Sequence, residues 1–556
     1  MITVRRSLFL VSVVMLLLMV AAGAALAAKP TRTLIFTFDQ MKPEYAKQYD
    51  MTNILWLQKH GAHFNRAYTG QMASETVVQH NTIVSGLFPK NMGWSDEVLR
   101  DVDNVLGYGA GAIVTTGDLS YGDYVKLIEA RGYPKLGDYM HDFFGEDSVV
   151  ANFGEKGYQV TSLAASSSDY WVTFSGRFQT SALPDPTVVP WTGRYRMPAG
   201  NVPDYILNDD RYKISSGNRS TVGPWDYYGT EDATPAWLYP EDGRYAPGPY
   251  AGHRSGDEWV ADAAMEVMEN EDWSAIHINF SGIDKIGHMF GGGDVDNVAW
   301  DPTDLLTEVH MPFQAKNADN QLGKIIAKLK ALGQWDETLV VVLADHGATY
   351  GENAYYVDAY DGGTQSWYYD PNNQCKNTTY GRAGYNNEAM LAPLNANGNL
   401  AYSYQSTAIE AWLIDQSWAK KVETAKAMKG MPGVIATYIR DGRRYRLHST
   451  NPMTVAERSW WAPHGQELVN TMAFEGAADV VGLLKDRTCY GIYGDHGGAQ
   501  KDVQRIPMVM WAKGVQPIVS GAPFRLVDVM PTVLRNMGIP QKARMDGTAY
   551  KLPILP

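Results

Sequence analysis

Aspartate and histidine residues follow several apolar stretches of this chain. The stretch 339-LVVVLADHGAT-349 ends close to an Asp-His pair, and 493-YGDHGG-498 repeats the Asp-His-Gly order near the end of the chain. Such places supply six candidate ligands: Asp39, Asp284, His288, Asp345, His346 and His496. Carboxylate oxygens and imidazole nitrogens bind zinc and other borderline divalent metal ions. Because a catalytic metal ion keeps an open position, these ligands predict two metal sites with three protein ligands each.

Buried strands and amphipathic helices alternate around these residues. Residues 32–38, 275–280 and 338–344 are apolar runs typical of buried strands, and each run precedes candidate ligands. Residues 258–270 and 315–333 carry apolar side chains at helical spacing, and each segment leads into one of these strands. Helices that alternate with strands predict an α/β fold with a mostly parallel central sheet. Residues that follow the strands then gather at the carboxyl edge of the sheet, where such folds bind ligands.

The N-terminal residues have the composition of a secretory signal peptide. Arg5 and Arg6 precede the apolar run 8–22, and 25-ALA-27 is a small-x-small cleavage sequence. We therefore predict that residues 1–27 are removed and that the mature protein is periplasmic or secreted, without stable membrane insertion. The alternative is an uncleaved membrane anchor, because the apolar run is nearly long enough to span a bilayer.

The acidic composition limits the classes of partner. The 556 residues carry a formal net charge of −13, which argues against binding a nucleic-acid polymer by general electrostatics. A small anionic substrate must then be attracted locally, for example by metal ions. Cys375 and Cys489 could form one disulfide in an oxidising compartment, but their separation does not establish that they pair.

Two regions rich in aromatic residues interrupt the α/β pattern. We interpret residues around 200–255 and 350–480 as insertions that build a cap over the edge of the sheet. The alternative is that both regions are long, packed surface loops. The chain exceeds the usual size of one domain, so residues 29–556 are predicted to form one large catalytic domain with these insertions.

The motifs together resemble the alkaline phosphatase superfamily. The pieces that carry the resemblance are 35-IFTFDQMKPE-44, 75-ETVVQHNTIVSGLFPKNMG-93, 277-HINFSGIDKIGHMFGG-292, 334-QWDETLVVVLADHGA-348, 492-IYGDHGG-498 and 526-LVDVMPTVLRNMGIPQKARMDG-547. The resemblance covers most of the predicted mature chain. It implies an alkaline-phosphatase-like sheet flanked by helices and two divalent metal ions, with zinc as the expected metal.

The resemblance also divides the candidate ligands between the two metal ions. Asp284, His288 and His496 match the ligands of one ion. The ligands of the other ion are matched by Asp39, Asp345 and His346. Asp495 precedes His496 but has no metal role in the family pattern, so its expected role is structural.

The nucleophile implied by the resemblance is Thr76. In the family pattern a Thr or Ser stands four residues before a His, and here Thr76 precedes His80 by that distance. The implied mechanism has a metal ion on the Thr76 oxygen, a phosphothreonine intermediate and an anion-stabilising helix N-terminus. The alternative role for Thr76 is an N-cap, with Ser74 as the fallback nucleophile, and His80 is expected to be structural.

Departures from the family pattern bear on the substrate. Sulfatases of the superfamily need a C/S-x-P-x-R run, which is absent around Thr76. Monoesterases carry a Lys-Asp-Arg run that binds the charge of a monoester, and 168-SDY-170 stands at the position we assign to it. This predicts hydrolysis of phosphodiesters or nucleotide pyrophosphates, in the manner of the nucleotide pyrophosphatase/phosphodiesterase branch. Glu97 replaces an Asn that contacts the phosphoryl group, so it either points elsewhere or binds a third metal ion or a cationic substrate group.

Two alternative functions stay open at this point. The first is a phosphomonoesterase of the alkaline phosphatase type. The second is an exported binding module that keeps the fold without catalysis. The presence of all the candidate ligands together with Thr76 favours an enzyme.

Overall fold

The computed structural model describes residues 29–116, 119–163, 167–173, 195–196, 199–209, 212, 214–215, 256–284, 287, 306–349, 392–490 and 495–554. The predicted signal peptide, His288 and Cys375 lie outside these residues. So do most of the predicted cap region 200–255 and the first part of the region 350–480.

The described residues form the strands β1 Arg32–Phe38, β2 Ala62–Tyr68, β3 Val98–Asp101, β4 Ala112–Thr115, β5 Val149–Gly154, β6 Tyr170–Thr173, β7 Tyr195–Arg196, β8 Ala199–Asn201, β9 Ile214–Ser215, β10 Trp273–Phe280, β11 Thr338–Leu343, β12 Leu400–Gln405, β13 Ala408–Leu413, β14 Val434–Asp441, β15 Arg444–Thr450, β16 Val480–Leu484, β17 Met508–Trp511 and β18 Ile518–Arg525. The helices are α1 Tyr45–Gln48, α2 Thr52–His60, α3 Thr76–Ser85, α4 Pro89–Met92, α5 Tyr121–Glu129, α6 Leu136–Phe144, α7 Gly157–Val160, α8 Asp204–Leu207, α9 Gly256–Asn270, α10 Leu306–Ala331, α11 Trp418–Lys429, α12 Val455–Asn470, α13 Lys501–Gln504 and α14 Val529–Met537.

A nine-stranded sheet in the order β18-β2-β17-β11-β1-β10-β5-β6-β8 forms the centre of the protein. Its middle strands β11, β1, β10, β5 and β6 are all parallel, and antiparallel pairs occur towards both edges. The predicted fold class, a mostly parallel sheet flanked by helices, is therefore confirmed. In this arrangement the carboxyl ends of β1, β10 and β11 lie side by side.

The central strands are buried on both faces because helices cover the sheet. Every residue of β10 and β11 is buried, as expected for parallel strands packed between layers. Helix α9 buries an apolar face that includes Trp259, Val260 and Val267, and α10 contributes Leu322 and Ile325 to the same core. None of the helices in the described ranges is both long enough and apolar enough to cross a bilayer.

A second, five-stranded sheet in the order β12-β13-β16-β14-β15 has four strands within the predicted cap region 350–480, and its strand β16 begins at residue 480 and ends beyond that region. We call it the cap sheet, and all its strand pairs are antiparallel. Ala408 and Trp412 on β13 belong to a buried cluster with Tyr68, Met72 and Val98 of the main body. The cap sheet is therefore packed on the segments that precede and follow α3.

A buried ionic cluster joins the cap sheet to β3. Asp479 is fully buried, and its carboxylate contacts Arg440 at 2.7 Å, Lys421 at 3.1 Å and Arg100 of β3 at 3.3 Å. It also accepts the backbone N–H of Leu413 at 2.9 Å. One carboxylate thus compensates several buried cations, which would repel each other without it.

We predict that Asp479→Asn lowers the free energy of unfolding by about 3–5 kcal/mol, because it leaves buried cations unpaired. The matched control is Asp441→Asn, since Asp441 pairs with Arg444 and Arg446 on an exposed surface. That control should cost about 0–1 kcal/mol. Urea unfolding of both variants measures the difference, and equal effects would contradict the prediction.

Candidate active site

Three aspartates converge at the carboxyl edge of the central sheet. Asp39 follows β1, Asp284 follows β10 and Asp345 follows β11, and each is at most 1% exposed. The backbone N–H of Asp39 donates to the carbonyl of Phe280 at 3.0 Å, which ties the ends of β1 and β10 together. Parallel pairing thus brings together residues that are far apart in the sequence.

Two groups of side chains at this edge have the geometry of metal sites. Asp39, Asp345 and His346 place one ligand atom each within 4.8 Å of one another, and so do Asp284, His346 and His496. His346 Nε2 lies 3.5 Å from carboxylate oxygens of both Asp39 and Asp345. His496 Nε2 lies 3.4 Å from Asp284 Oδ1. The imidazole rings of His346 and His496 stack with their centroids 3.7 Å apart. The first group is the ligand set that the sequence assigns to one metal ion; the second contains two of the three ligands assigned to the other.

The chemistry of these groups fits divalent metal ions. Asp345 Oδ2 is buried, and the imidazole nitrogens next to it, His80 Nε2 and His346 Nε2, are both as far away as 3.5 Å, which leaves this oxygen able to bind a cation. His346 Nδ1 faces the carbonyl of Gly347 at 3.1 Å, so its proton belongs there and Nε2 presents a lone pair. Burial lowers the pKa of His346 to about 4, which keeps the imidazole neutral as a ligand must be. Burial and the neighbouring Asp345 raise the pKa of Asp39 well above its ordinary value, and a bound cation would relieve this repulsion.

The two Asp-His-Gly copies share one local structure. Asp345 Oδ1 accepts the backbone N–H of His346 at 2.9 Å, and Asp495 Oδ1 accepts that of His496 at 3.0 Å. Each aspartate therefore fixes the backbone of the histidine that follows it. A side chain at Gly347 would meet the carbonyl oxygen of Asp502 at 2.1 Å, so only glycine fits there.

Thr76 is the first residue of α3, and Glu75 occupies the N-cap position. The alternative that Thr76 serves as the N-cap is therefore wrong. Its Oγ1 lies 3.4 Å from Asp39 Oδ1 and 3.3 Å from His346 Nε2. The hydroxyl of Ser74 instead donates to the carbonyl of Gly498 at 3.1 Å. The structure thus places Thr76, and not Ser74, against the candidate metal ligands.

His80 is fully buried behind the candidate ligands. Its Nε2 lies 3.5 Å from Asp345 Oδ2, and its Nδ1 lies 3.2 Å from His277 Nε2. Its ring is therefore in a position to support Asp345 from the interior, which agrees with the structural role expected for it.

Lys156 is a residue of this site that the sequence interpretation missed. Its ammonium lies 2.6 Å from Asp284, 2.9 Å from Asp39 and 3.2 Å from Thr76 Oγ1. It follows the carboxyl end of β5 by two residues. The rule that selected the aspartates, a polar residue just past a strand, would also have selected it.

The assignment of 168-SDY-170 to the phosphate-binding run is wrong. Tyr170 pairs with Ala151 near the amino end of the β5–β6 pair, whereas Lys156 lies beyond its carboxyl end. The Tyr170 hydroxyl donates to Glu271 at 3.3 Å, and the Ser168 hydroxyl donates to the carbonyl of Tyr170 at 3.2 Å. The sequence argument that the site lacks a cation for a monoester therefore fails.

Glu97 faces the cap sheet. Its Oε2 accepts a long hydrogen bond of 3.5 Å from the hydroxyl of Tyr404 on β12. The same hydroxyl lies 3.2 Å from Glu75 Oε1. Of the two options that the sequence left for Glu97, these contacts favour a carboxylate that points towards Tyr404.

Comparisons with known proteins show which proteins this chain is similar to. Residues 33–462 match the family described as type I phosphodiesterase / nucleotide pyrophosphatase. The alkaline phosphatase PhoK of Sphingomonas sp is 22% identical over 571 residues, which cover 95% of this chain and 92% of PhoK. The crystal structure of the alkaline phosphatase PafA superposes with a TM-score of 0.59 at 15% identity, covering 92% of this chain and 96% of PafA. At that identity, the superposition shows that the fold is shared.

Two more carboxyl groups lie buried beside Glu75. Asp96 is fully buried and Glu410 is 2% exposed. Burial and the charge of Glu75 raise the pKa of Glu410 to about 8. Burial, Glu410 and Glu75 raise the pKa of Asp96 well above its ordinary value. We infer that Asp96 and Glu410 hold at least one proton between them at neutral pH, because two adjacent carboxylates without a cation repel each other.

We predict that Glu410→Gln reduces the loss of stability between pH 5 and pH 8. Folding raises the pKa of Glu410 from an ordinary 4.5 to about 8, so the folded state holds this proton more tightly than the unfolded state. The resulting stability is present below pH 4.5 and is lost as the pH rises towards 8. The loss of unfolding free energy between pH 5 and pH 8 should be smaller in the variant than in the wild type by more than about 1.4 kcal/mol, the equivalent of one pKa unit.

Urea unfolding at both pH values measures this effect. The control is Glu146→Gln, which removes an exposed carboxyl group. Parallel stability curves for wild type and Glu410→Gln would contradict the prediction.

Proposed function

Since this chain belongs to the type I phosphodiesterase / nucleotide pyrophosphatase family, and is accordingly a metal-dependent phosphoester hydrolase, we propose that it acts through two divalent metal ions and through Thr76 as the nucleophile. The observation that carries the proposal is the position of Thr76 Oγ1. That atom lies 3.4 Å from Asp39 and 3.3 Å from His346, at the junction of the two ligand groups.

The proposed ligands are those that the sequence assigns, with zinc as the expected metal. One group consists of Asp39, Asp345 and His346, with the Thr76 oxygen as a further ligand; the other consists of Asp284, His288 and His496. When bound, the ions supply positive charge for the Thr76 alkoxide and for the leaving oxygen. The chain also contributes the N-terminus of α3, whose N–H groups and dipole favour the phosphoryl oxygens.

The reaction proceeds in two steps. In the first, a bond forms between Thr76 Oγ1 and phosphorus while the bond from phosphorus to the leaving oxygen breaks, which gives phosphothreonine and an alcohol or phenol. In the second, water attacks the same phosphorus and releases phosphate or a phosphate monoester, while the bond to Thr76 breaks. Asp39 orients the Thr76 hydroxyl for the first step, and Lys156 provides a cation for the transferred group.

Phosphomonoesters are the substrates that Lys156 favours. A monoester carries one more negative charge than a diester, and an ammonium 3.2 Å from the nucleophile would compensate part of it. The relatedness to the alkaline phosphatase PhoK supports the same proposal.

The chain is proposed to be an exported protein, as the sequence of residues 1–27 predicts.

Phosphodiesters and nucleotide pyrophosphates are the second candidate class. The family description supports them. The remaining alternative is an exported binding module without catalysis. It would be supported by a protein that binds zinc but hydrolyses neither monoesters nor diesters.

We predict that Thr76→Ala keeps the metal content of the wild type, expected to be two ions per chain, but loses hydrolysis of both ester classes. Only the nucleophilic oxygen is removed, and the acidic and histidine ligands remain. Metal analysis and chromogenic ester assays measure the two properties. Ser74→Ala is the control and should stay active, since the Ser74 hydroxyl is bonded to Gly498. Activity in Thr76→Ala with none in Ser74→Ala would reverse the assignment.

We predict that Lys156→Met lowers kcat/KM for a monoester more than for a diester of the same phenol. A charge-assisted contact contributes about 1.5–3 kcal/mol, so the monoester rate should fall about 10-fold to 100-fold. The diester rate should fall less, because its phosphoryl group carries less charge. Both rates are measured on zinc-loaded protein. An equal fall for both esters would show that Lys156 does not distinguish them.

A further inference from the structure

We propose that Glu75 is a positioning residue that fixes His496 for metal binding, and that Tyr404 of the cap sheet fixes Glu75 in turn. This inference rests on the proposed function, because it takes His496 as a metal ligand. It assigns roles to two side chains outside the predicted ligand set. It also connects the cap sheet to the metal centre.

Hydrogen bonds form a continuous path from the cap sheet to His496. Glu75 Oε2 lies 2.7 Å from His496 Nδ1, and Glu75 Oε1 accepts from the Tyr404 hydroxyl at 3.2 Å. The carbonyl of Ser74 is a second acceptor, 3.2 Å from the same Nδ1. Both groups next to Nδ1 are acceptors, so that nitrogen carries a proton, while Nε2 faces the proposed metal ligand Asp284 at 3.4 Å. A carboxylate behind the ligating imidazole fixes its tautomer and orientation and makes it a stronger ligand.

The burial of Glu75 supports a role for its contact with His496. Glu75 is 2% exposed, and a buried carboxylate is costly unless it is paired. Among the described residues, no lysine or arginine forms an ion pair with it, and the His496 imidazole is the group that it contacts at 2.7 Å. Glu75 also immediately precedes Thr76, so the N-terminus of α3 holds the nucleophile and the support of a metal ligand together.

The backbone around His496 is shaped to accept the Glu75 carboxylate. Gly497 has a φ of +93°, a conformation that side chains rarely adopt. A side chain there would also meet Glu75 Oε1 at 1.8 Å. The glycine of the second Asp-His-Gly copy thus makes room for this carboxylate, whereas Gly347 of the first copy makes room for backbone.

The cap sheet presents Tyr404 to Glu75 from a fixed position. Tyr404 on β12 lies directly opposite Glu410 on β13, so both side chains project from the same face of the cap sheet. The path Tyr404, Glu75, His496 therefore begins in the insertion and ends at the metal centre. Changes in the packing of the cap sheet should reach the metal ligand along this path.

The test measures zinc affinity at each of the two sites by chelator competition, in parallel with the thermal stability of the zinc-free protein. Glu75→Ala should weaken zinc binding at the site that contains His496 by about 10-fold to 100-fold, the usual effect of removing a group that supports a metal ligand. The affinity of the site formed by Asp39, Asp345 and His346 should stay unchanged. Glu75→Gln retains an acceptor for Nδ1 and should recover part of this loss. Tyr404→Phe should weaken the same site by a smaller factor.

The matched control is Tyr402→Phe, which removes a hydroxyl from the same strand two residues away and should leave both affinities unchanged. Equal weakening of both sites, or a lower stability with unchanged zinc affinity, would show a merely structural role and overturn the inference. If Glu75→Ala does not fold, Glu75→Gln and Tyr404→Phe alone decide, and wild-type affinity in both would overturn it. Wild-type protein that binds no zinc would overturn the proposed function as well.

Discussion

The structure depends on how it keeps several aspartates buried together at one edge of a sheet. Asp39, Asp284 and Asp345 are almost completely buried. Burial, together with the repulsion from the other two aspartates, raises the pKa of Asp39 well above its ordinary value. Such an arrangement is stable only where cations meet it. The described residues provide Lys156, and the proposed metal ions would provide the rest. The helices, the Asp-His-Gly turns and the first turn of α3 all hold groups in place around this charge.

The acidic side of the site extends from the metal ligands into the cap sheet. Glu75, Glu97 and Asp96 lie around the Tyr404 hydroxyl. Among the described residues, the Lys156 ammonium lies 3.2 Å from Thr76 Oγ1 and also contacts Asp39 and Asp284. A proton shared by Asp96 and Glu410 would reduce the repulsion among these acidic groups.

Local patterns predicted the strands well because burial on both faces leaves an unmistakable apolar run. The strand predicted for residues 32–38 is β1 without change, and β10 begins only two residues earlier than predicted. Helix α10 begins at Leu306, ahead of the predicted 315, and includes Pro312, which removes a backbone donor and usually marks a helix boundary. Periodicity identifies the face of a helix and does not fix its first residue.

Long-range contacts explain what the sequence did not reveal about the site. The role of Glu75 depends on His496, a residue from the far end of the chain, and no local pattern joins them. Lys156 was missed for a different reason, because the family pattern was aligned with 168-SDY-170. Those residues lie near the amino end of β6, while the strand-end rule points to the carboxyl end of β5. The strand-end rule, applied to β5, would have located the cation that the alignment of a short motif missed.

The overall charge explains why the cations at this edge must be local. With a formal net charge of −13, the chain repels a phosphoester at long range. At physiological ionic strength this repulsion is screened beyond about 8 Å, so the groups next to the phosphoryl position decide binding. Within that distance of Thr76 lies Lys156, and the metal ions would lie there too. Most of the attraction for the substrate would therefore be available only in the metal-bound protein. Residues that hold a proposed metal ligand in place, such as Glu75 behind His496, would then determine substrate binding as well as metal affinity.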